Sequence, residues 1–261
     1  MGLCARGSLL GAVLCIAGCD GAAKRLGKAQ DRSDAQLPEL TATRAAAPPT
    51  IDGVIDEAEW RGAGDTGPFV APGSGKPASK SNVKARARVL YDAKQLYVAF
   101  EVLDENPTSL FAVDEVDPHV WSRASGVELM IAPGAYADNR DYFEVQVEVG
   151  GAVWDTRFDD YNQPVRQIPQ TKNVRFGHQE WKSEIRRATK RESWGYAVEL
   201  ALPFAQLKTA RTPAPPTPGS TWRMNFYSFR DGQSDALAWS PLLGKGNFHR
   251  SSRFGVVRFG P

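Results

Sequence analysis

A two-residue alternation of apolar and polar side chains runs through most of this chain and leaves few folds open to it. Tyr142 to Phe158 reads YFEVQVEVGGAVWDTRF, with Phe143, Val145, Val147 and Val149 alternating with Glu144, Gln146 and Glu148. That is the pattern of a strand with one buried face. Gly150-Gly151 suits a two-residue hairpin turn, because primed turns need positive φ and glycine reaches it without a Cβ clash. With that loop, Val147 faces Trp154, Phe143 faces Phe158, Gln146 faces Asp155 and Glu144 faces Arg157. Trp154 then belongs to the core, and a slip of one residue would reverse that assignment.

The alternation recurs. Val83, Ala85, Ala87 and Val89 carry it, then Leu96, Val98, Phe100 and Val102, then Val127, Leu129 and Ile131. The longest stripe is Trp194, Tyr196, Val198, Leu200 and Leu202, closed by Pro203. Further strands are expected at Ile185 to Thr189, Trp222 to Phe229 and Phe254 to Phe259. Turn clusters such as Ala71-Pro72-Gly73-Ser74-Gly75 separate them, and Thr209 to Ser220, with four prolines, reads as a loop. Helical periodicity is missing beyond a short turn at Phe204 to Leu207. Many short strands with regular turns predict an all-β chain, an antiparallel β-sandwich.

The first residues follow a different logic. Arg6, an apolar run from Ser8 to Ala17 and then Ile16-Ala17-Gly18-Cys19 read as a lipoprotein signal over residues 1–18, with Cys19 as the lipidated residue. Cys4 and Cys15 fall inside that signal, so the mature chain would keep Cys19 alone and form no internal disulfide. Residues 19–47 lack aromatics and read as a disordered tether, which puts the domain at 48–261. The expected setting is an exported protein, lipid-anchored to a bacterial membrane, in the periplasm or at the cell surface. A net charge of +2 with dispersed Lys and Arg gives no electrostatic footprint for nucleic acid.

Five pieces in order across the domain resemble family 9 carbohydrate-binding modules. They are Ile51-Asp52-Gly53 with Asp56-Glu57 and Trp60; Leu90-Tyr91-Asp92 with Leu96-Tyr97-Val98-Ala99; and Tyr142-Phe143-Glu144-Val145 with Val153-Trp154-Asp155. Trp194-Gly195-Tyr196-Ala197-Val198-Glu199 with Leu202-Pro203-Phe204 is the fourth. The fifth runs from Arg223-Met224-Asn225-Phe226-Tyr227 through Trp239-Ser240-Pro241 and Asn247-Phe248-His249 to Phe254-Gly255. The resemblance implies a jelly-roll-like sandwich binding polysaccharide or oligosaccharide in an aromatic-lined cleft, often with structural calcium and beside polysaccharide-degrading enzymes. Ser125 departs from it, since many relatives carry Asp just before the Val-Glu strand. Related sandwiches also include haem b proteins with Met and Lys or His as axial ligands, which makes Met130 with His249 a second reading. A ligandless surface lipoprotein is a third.

Sugar recognition needs ring-sized apolar surfaces for C–H faces and planar polar groups for hydroxyls. Glu128, Glu144, Gln146, Asp155 and Arg157 are expected to supply hydroxyl contacts from neighbouring strands, unless that face is merely solvated. Trp121, in the irregular stretch Asp117 to Arg123, and Trp239, after the polar loop Arg230 to Asp235, are the candidate platforms. Arg230 and His249 are candidate cleft groups because the resemblance places them near Trp239. Trp60, Trp194 and Trp222 read as core, and Trp181 is undecided. Asp104, Glu105, Asp114, Glu115 and Asp117 could ligate calcium, although they lack EF-hand spacing, and no metal site is assigned. The chain has no HExxH and no G-x-S-x-G, and Gly73-Ser74-Gly75-Lys76-Pro77 puts Pro where a P-loop needs Ser or Thr. A binding protein rather than an enzyme is expected.

Overall fold

The computed structural model describes residues 26–34, 36–78, 81–167, 174–231 and 234–261. The signal segment and Cys19 lie outside them. In chain order the strands are β1 (Glu39–Arg44), β2 (Gly64–Asp65), β3 (Lys84–Tyr91), β4 (Gln95–Leu103), β5 (Gly126–Ala132), β6 (Arg140–Glu148) and β7 (Val153–Asp160). They continue with β8 (Arg166–Gln167), β9 (Val174–Arg175), β10 (Arg186–Glu192), β11 (Gly195–Pro203), β12 (Thr221–Arg230), β13 (Ser234–Ala238) and β14 (Gly255–Phe259). Among the described residues, short helical turns form α1 (Ala58–Arg61), α2 (Val120–Arg123) and 3₁₀ turns at Phe204–Leu207 and Ser251–Arg253.

The strands form one curled mixed sheet in the order β10-β11-β4-β3-β1-β14-β12-β5-β6-β7, with β13 beside β12, β2 beside β3 and β8-β9 as a separate ribbon. Its two halves face each other as a sandwich. The apolar stripes legible in the sequence meet between them: Val98, Phe100, Val102, Val198 and Leu200 from one half, Val127, Leu129, Phe143, Val145 and Phe226 from the other. Phe100 meets Phe226 edge-on at 6.1 Å across that core. Almost every pairing is antiparallel, as the alternation predicted.

The exceptions centre on β1, which pairs in parallel with both β14 and β3 and joins the halves. The expected disordered tether therefore needs correcting over its later part. Leu40 and Ala42 are buried while Glu39 and Thr41 are exposed, so a short period-two pattern sits inside the low-complexity stretch. Backbone bonds from Gly260 N–H to Ala42 O (2.9 Å) and from Ala45 N–H to Tyr91 O (2.8 Å) tie it on either side. One marginal strand suffices here because two unpaired ladders receive it at once. Upstream, Arg32 donates to the Trp239 carbonyl at 2.7 Å and the Thr66 carbonyl at 2.8 Å. Leu26 is buried beside Leu103.

Residues 51–60 close the outer face of the β3-β4-β11 half around one carboxylate. Buried Glu199 accepts from the Asp52 and Gly53 N–H groups at 3.0 and 2.7 Å, and from Trp60 Nε1–H at 2.7 Å. Three donors on one buried acid account physically for the Asp-Gly pair, the Trp and the Val-Glu strand occurring together.

The role of β1 gives a direct test. A chain starting at Leu26 is expected to unfold in one cooperative transition. The fragment 48–261, lacking β1, is expected to expose apolar surface, bind ANS and lose that transition. If circular dichroism shows both melting cooperatively at the same temperature, the sandwich does not depend on β1.

Candidate functional site

The site is built on the outer face of the β12-β5-β6-β7 half. The β6–β7 register decides which side chains reach it. Glu148 N–H bonds to Ala152 O at 2.8 Å and Gly151 N–H to Glu148 O at 2.7 Å, so the loop is Val149-Gly150-Gly151, with Gly151 at φ +101°. A three-residue loop ending on a positive-φ glycine is the next commonest hairpin after the two-residue turn. It shifts the ladder by one: Val147 pairs with Val153, Gln146 with Trp154, Glu144 with Thr156 and Phe143 with Arg157.

The slip exchanges the faces of β7. Trp154, expected in the core, joins Glu144 and Gln146 on the outer face. Asp155 and Arg157, expected beside them, point to the other side. Buried Asp155 accepts from Ser183 N–H (2.8 Å) and Oγ–H (2.6 Å), and Arg157 donates to Asp159 at 2.5 Å. Two further expectations are corrected. Trp239 is fully buried against Phe226, and a Cβ on Gly255 would lie 2.4 Å from its ring, so the glycine exists there to admit the indole. Arg230 lies away from the cleft, near Asp104 and Asp235 at 3.7 Å each.

Trp121, Glu128, Glu144, Gln146 and His249 do come together. They line a cleft of about 390 Å³ with His119, Trp154, Phe158, Tyr161, Arg175, Phe176, Gln179, Asn247 and Phe248. Trp121 rises from α2 with 39 % of its surface exposed, its backbone N–H donating to Gln146 Oε1 at 3.2 Å. His249 stacks on Tyr161 (centroids 4.1 Å apart, planes 11°) and hydrogen-bonds through Nδ1 with Tyr142 Oη at 2.8 Å. Asn247 Nδ2 donates to Tyr161 Oη at 2.8 Å. Tyr161 and Asn247 escaped the sequence reading because neither sits in a strand alternation; the Asn247-Phe248-His249 motif was the one available signal. Trp154 was missed through the register alone.

The floor is acidic and buried. Gln146 Nε2 donates to Glu144 Oε1 at 2.6 Å and to Glu128 Oε2 at 3.1 Å. Glu128 Oε1, Glu144 Oε2 and Trp154 Nε1 are buried and have no hydrogen-bond partner. Burial, opposed by the Gln146 amide, pushes Glu144 up to about 8. Burial and the neighbouring Glu144 charge hold Glu128 well above the usual carboxylate range. Burial lowers His249 to about 4, which keeps the imidazole neutral at pH 7.

Calcium and haem fare differently from the cleft residues. Asp104 accepts from Asn106 N–H at 3.0 Å and Asp117 from Lys182 Nζ at 2.6 Å. Among the described residues no three His, Cys, Asp or Glu converge on a metal position. Ser125, where an Asp was expected by resemblance, is fully buried and clamps the preceding loop through Thr108 N–H to Oγ at 2.9 Å. Met130 is buried with Tyr142, Tyr227 and Phe254, behind the cleft wall rather than on it.

The family model for carbohydrate family 9 binding domain-like proteins matches residues 51–260. No curated protein matches the chain. Among solved structures, a Bacteroides uniformis protein proposed to bind carbohydrate aligns with a TM-score of 0.63 at 16 % identity, covering 86 % of this chain and 100 % of its own. A family 9 carbohydrate-binding module from Caldicellulosiruptor kristjanssonii holding cellotriose aligns at 0.53 and 17 % identity, over 85 % of this chain and 94 % of its own. The same organism's family 9 module with glucose aligns at 0.52 and 16 % identity, over 85 % and 96 %. At these identities the likeness is one of fold.

The acid pair makes a pH-dependent prediction. Both carboxyls ionise less readily folded than unfolded, so the pair's contribution to stability is most favourable below about pH 4.5 and is lost as pH rises towards 8. Glu144→Gln is expected to stabilise the protein at about pH 8 by about 1–4 kcal/mol. That gain should vanish near pH 4. Urea unfolding at the two pH values measures it, and equal destabilisation at both would sink the account.

Proposed function

Since the chain belongs to the carbohydrate family 9 binding domain-like family, we propose that it binds sugar without chemistry, holding part of a polysaccharide or oligosaccharide in the cleft. The observation that carries this reading is the combination on the cleft's own residues. Exposed Trp121 and the rings of Trp154, Phe158, Tyr161 and Phe176 offer apolar faces. Two acceptors and one donor without protein partners lie among them. Carbohydrate presents the same alternation of C–H faces and hydroxyls. At about 390 Å³ the cleft is near the small end of ligand sites, which run from about 300 to 1,000 Å³, and suits one or two rings better than a long stretch of chain. The two structural neighbours holding cellotriose and glucose make glucans the first ligands to try.

The same reading includes export and a lipid on Cys19, which would place the cleft beside a membrane where enzymes degrading the same polymer act. The apolar run to Ala17 and the Ile16-Ala17-Gly18-Cys19 sequence support it.

Affinity electrophoresis through xylan, cellulose derivatives, β-glucan, mannan and pectin tests the cleft. One polymer is expected to retard the protein, with no product released from it. Trp121→Ala and Trp154→Ala are each expected to weaken binding about threefold to tenfold, the scale of one aromatic contact. Free migration in every gel, or unchanged retardation of both variants, argues against this cleft as a sugar site. For the anchor, Cys19→Ala in the full chain is expected to move the protein from the membrane fraction to the soluble one. A variant that stays with the membrane would refute lipidation at Cys19.

A further inference from the structure

We propose that the cleft prefers sugars bearing a protonated amine, an amino sugar or its oligomer, over neutral sugars of the same shape and over acidic ones. This rests on the sugar-binding reading above and goes on to name the class.

The floor holds two buried carboxyls with too few donors to satisfy them. Glu128 and Glu144 are buried on adjacent strands, and the single amide of Gln146 is shared between them. Trp154 Nε1 and Thr156 Oγ1 are unpaired, but the nearby tyrosine hydroxyls and the Asn247 amide are already engaged. Tyr142 Oη is bonded to His249, and Asn247 donates to Tyr161 Oη. Tyr227 Oη accepts from Asn225 Nδ2 at 2.6 Å and donates to Phe248 O at 3.3 Å. Of the basic lining residues, Arg175 donates to Gln179 and His119 lies edge-on to Trp121. His249 Nε2 stands 3.6 Å from Glu144 Oε2, and the ring is neutral at pH 7. Among the described residues no Lys or Arg pairs with either acid.

A buried acid pair in that position either keeps a proton or takes a cation. Hydroxyls of a neutral sugar can donate to the orphan oxygens but bring no charge. An ammonium brings charge and three donors in one group, enough for both oxygens. The surrounding indole and phenol rings favour a cation as well. A uronate would bring its own negative charge to a floor whose two carboxyls already resist ionising. The pair's proton supplies a second signature. Binding an amine displaces it to solvent, whereas binding a neutral sugar leaves it in place.

Isothermal titration calorimetry near pH 7, in buffers of different ionisation enthalpy, reads both affinity and proton release. The probes are tetramers of β-linked glucosamine, N-acetylglucosamine and glucose, with free glucuronic acid and spermidine as further arms. The glucosamine tetramer is expected to bind about tenfold tighter than the neutral tetramers, the scale of one charge-assisted hydrogen bond. Its heat alone is expected to vary with buffer, and glucuronic acid is expected to bind weakest. Glu144→Gln should bring the three tetramers to similar affinities. A glucosamine tetramer that binds no tighter than the neutral ones overturns the preference and leaves sugar binding standing. Spermidine binding as tightly as that tetramer also overturns it, because charge alone would then be read. If no tetramer binds, the sugar-binding reading falls with it.

Discussion

The backbone bond from Glu148 N–H to the Ala152 carbonyl closes the β6–β7 hairpin over three residues, and every side chain on β7 takes its face from that bond. Because strand side chains alternate strictly, one residue in the loop transfers a whole row from one side of the sheet to the other. Trp154 and Phe158 are thereby delivered to the cleft and Asp155 to its bond with Ser183. Loop length, set locally by Gly151, thus governs the composition of a site assembled from four strands and two distant segments.

That dependence shows which parts of the chain could be read without coordinates. Strands β3 to β7, β11, β12 and β14 were legible because each carries several alternating residues against a continuous apolar core, whereas β10 has no buried residue and was read without that support. Strand β1 was not: four consecutive positions around Leu40 and Ala42 are too few to outweigh the composition around them. Among site residues, Glu128, Glu144 and Gln146 were legible as the polar half of an alternation, and Trp121 as an aromatic without a period. Trp239 failed the same reasoning. It follows a polar turn, yet the space left by Gly255, sixteen residues on, draws it into the core. No local pattern records that long-range fit.

The acid pair sets stability against the ligand-binding role proposed for it. A face of hydrophobic residues at Glu128 and Glu144 would pack without an ionisation penalty, and the fold would gain from it. The penalty is tolerable because the core behind that face is continuous and because Gln146 holds both carboxyls in fixed positions. A preorganised pair of acceptors costs a ligand little reorganisation.

The placement of β1 has a mechanical corollary. A pull on the N-terminus would first strip residues 26–38, held by Leu26 and the Arg32 side chain, and would then load β1 along its length. Residues 39–42 pair with β14 and residues 43–44 with β3, so bonds to both halves would have to shear before β1 came free, where an edge strand could be peeled one bond at a time. The joint between the two halves of the sandwich is therefore also the point at which the domain best resists a pull on its N-terminus.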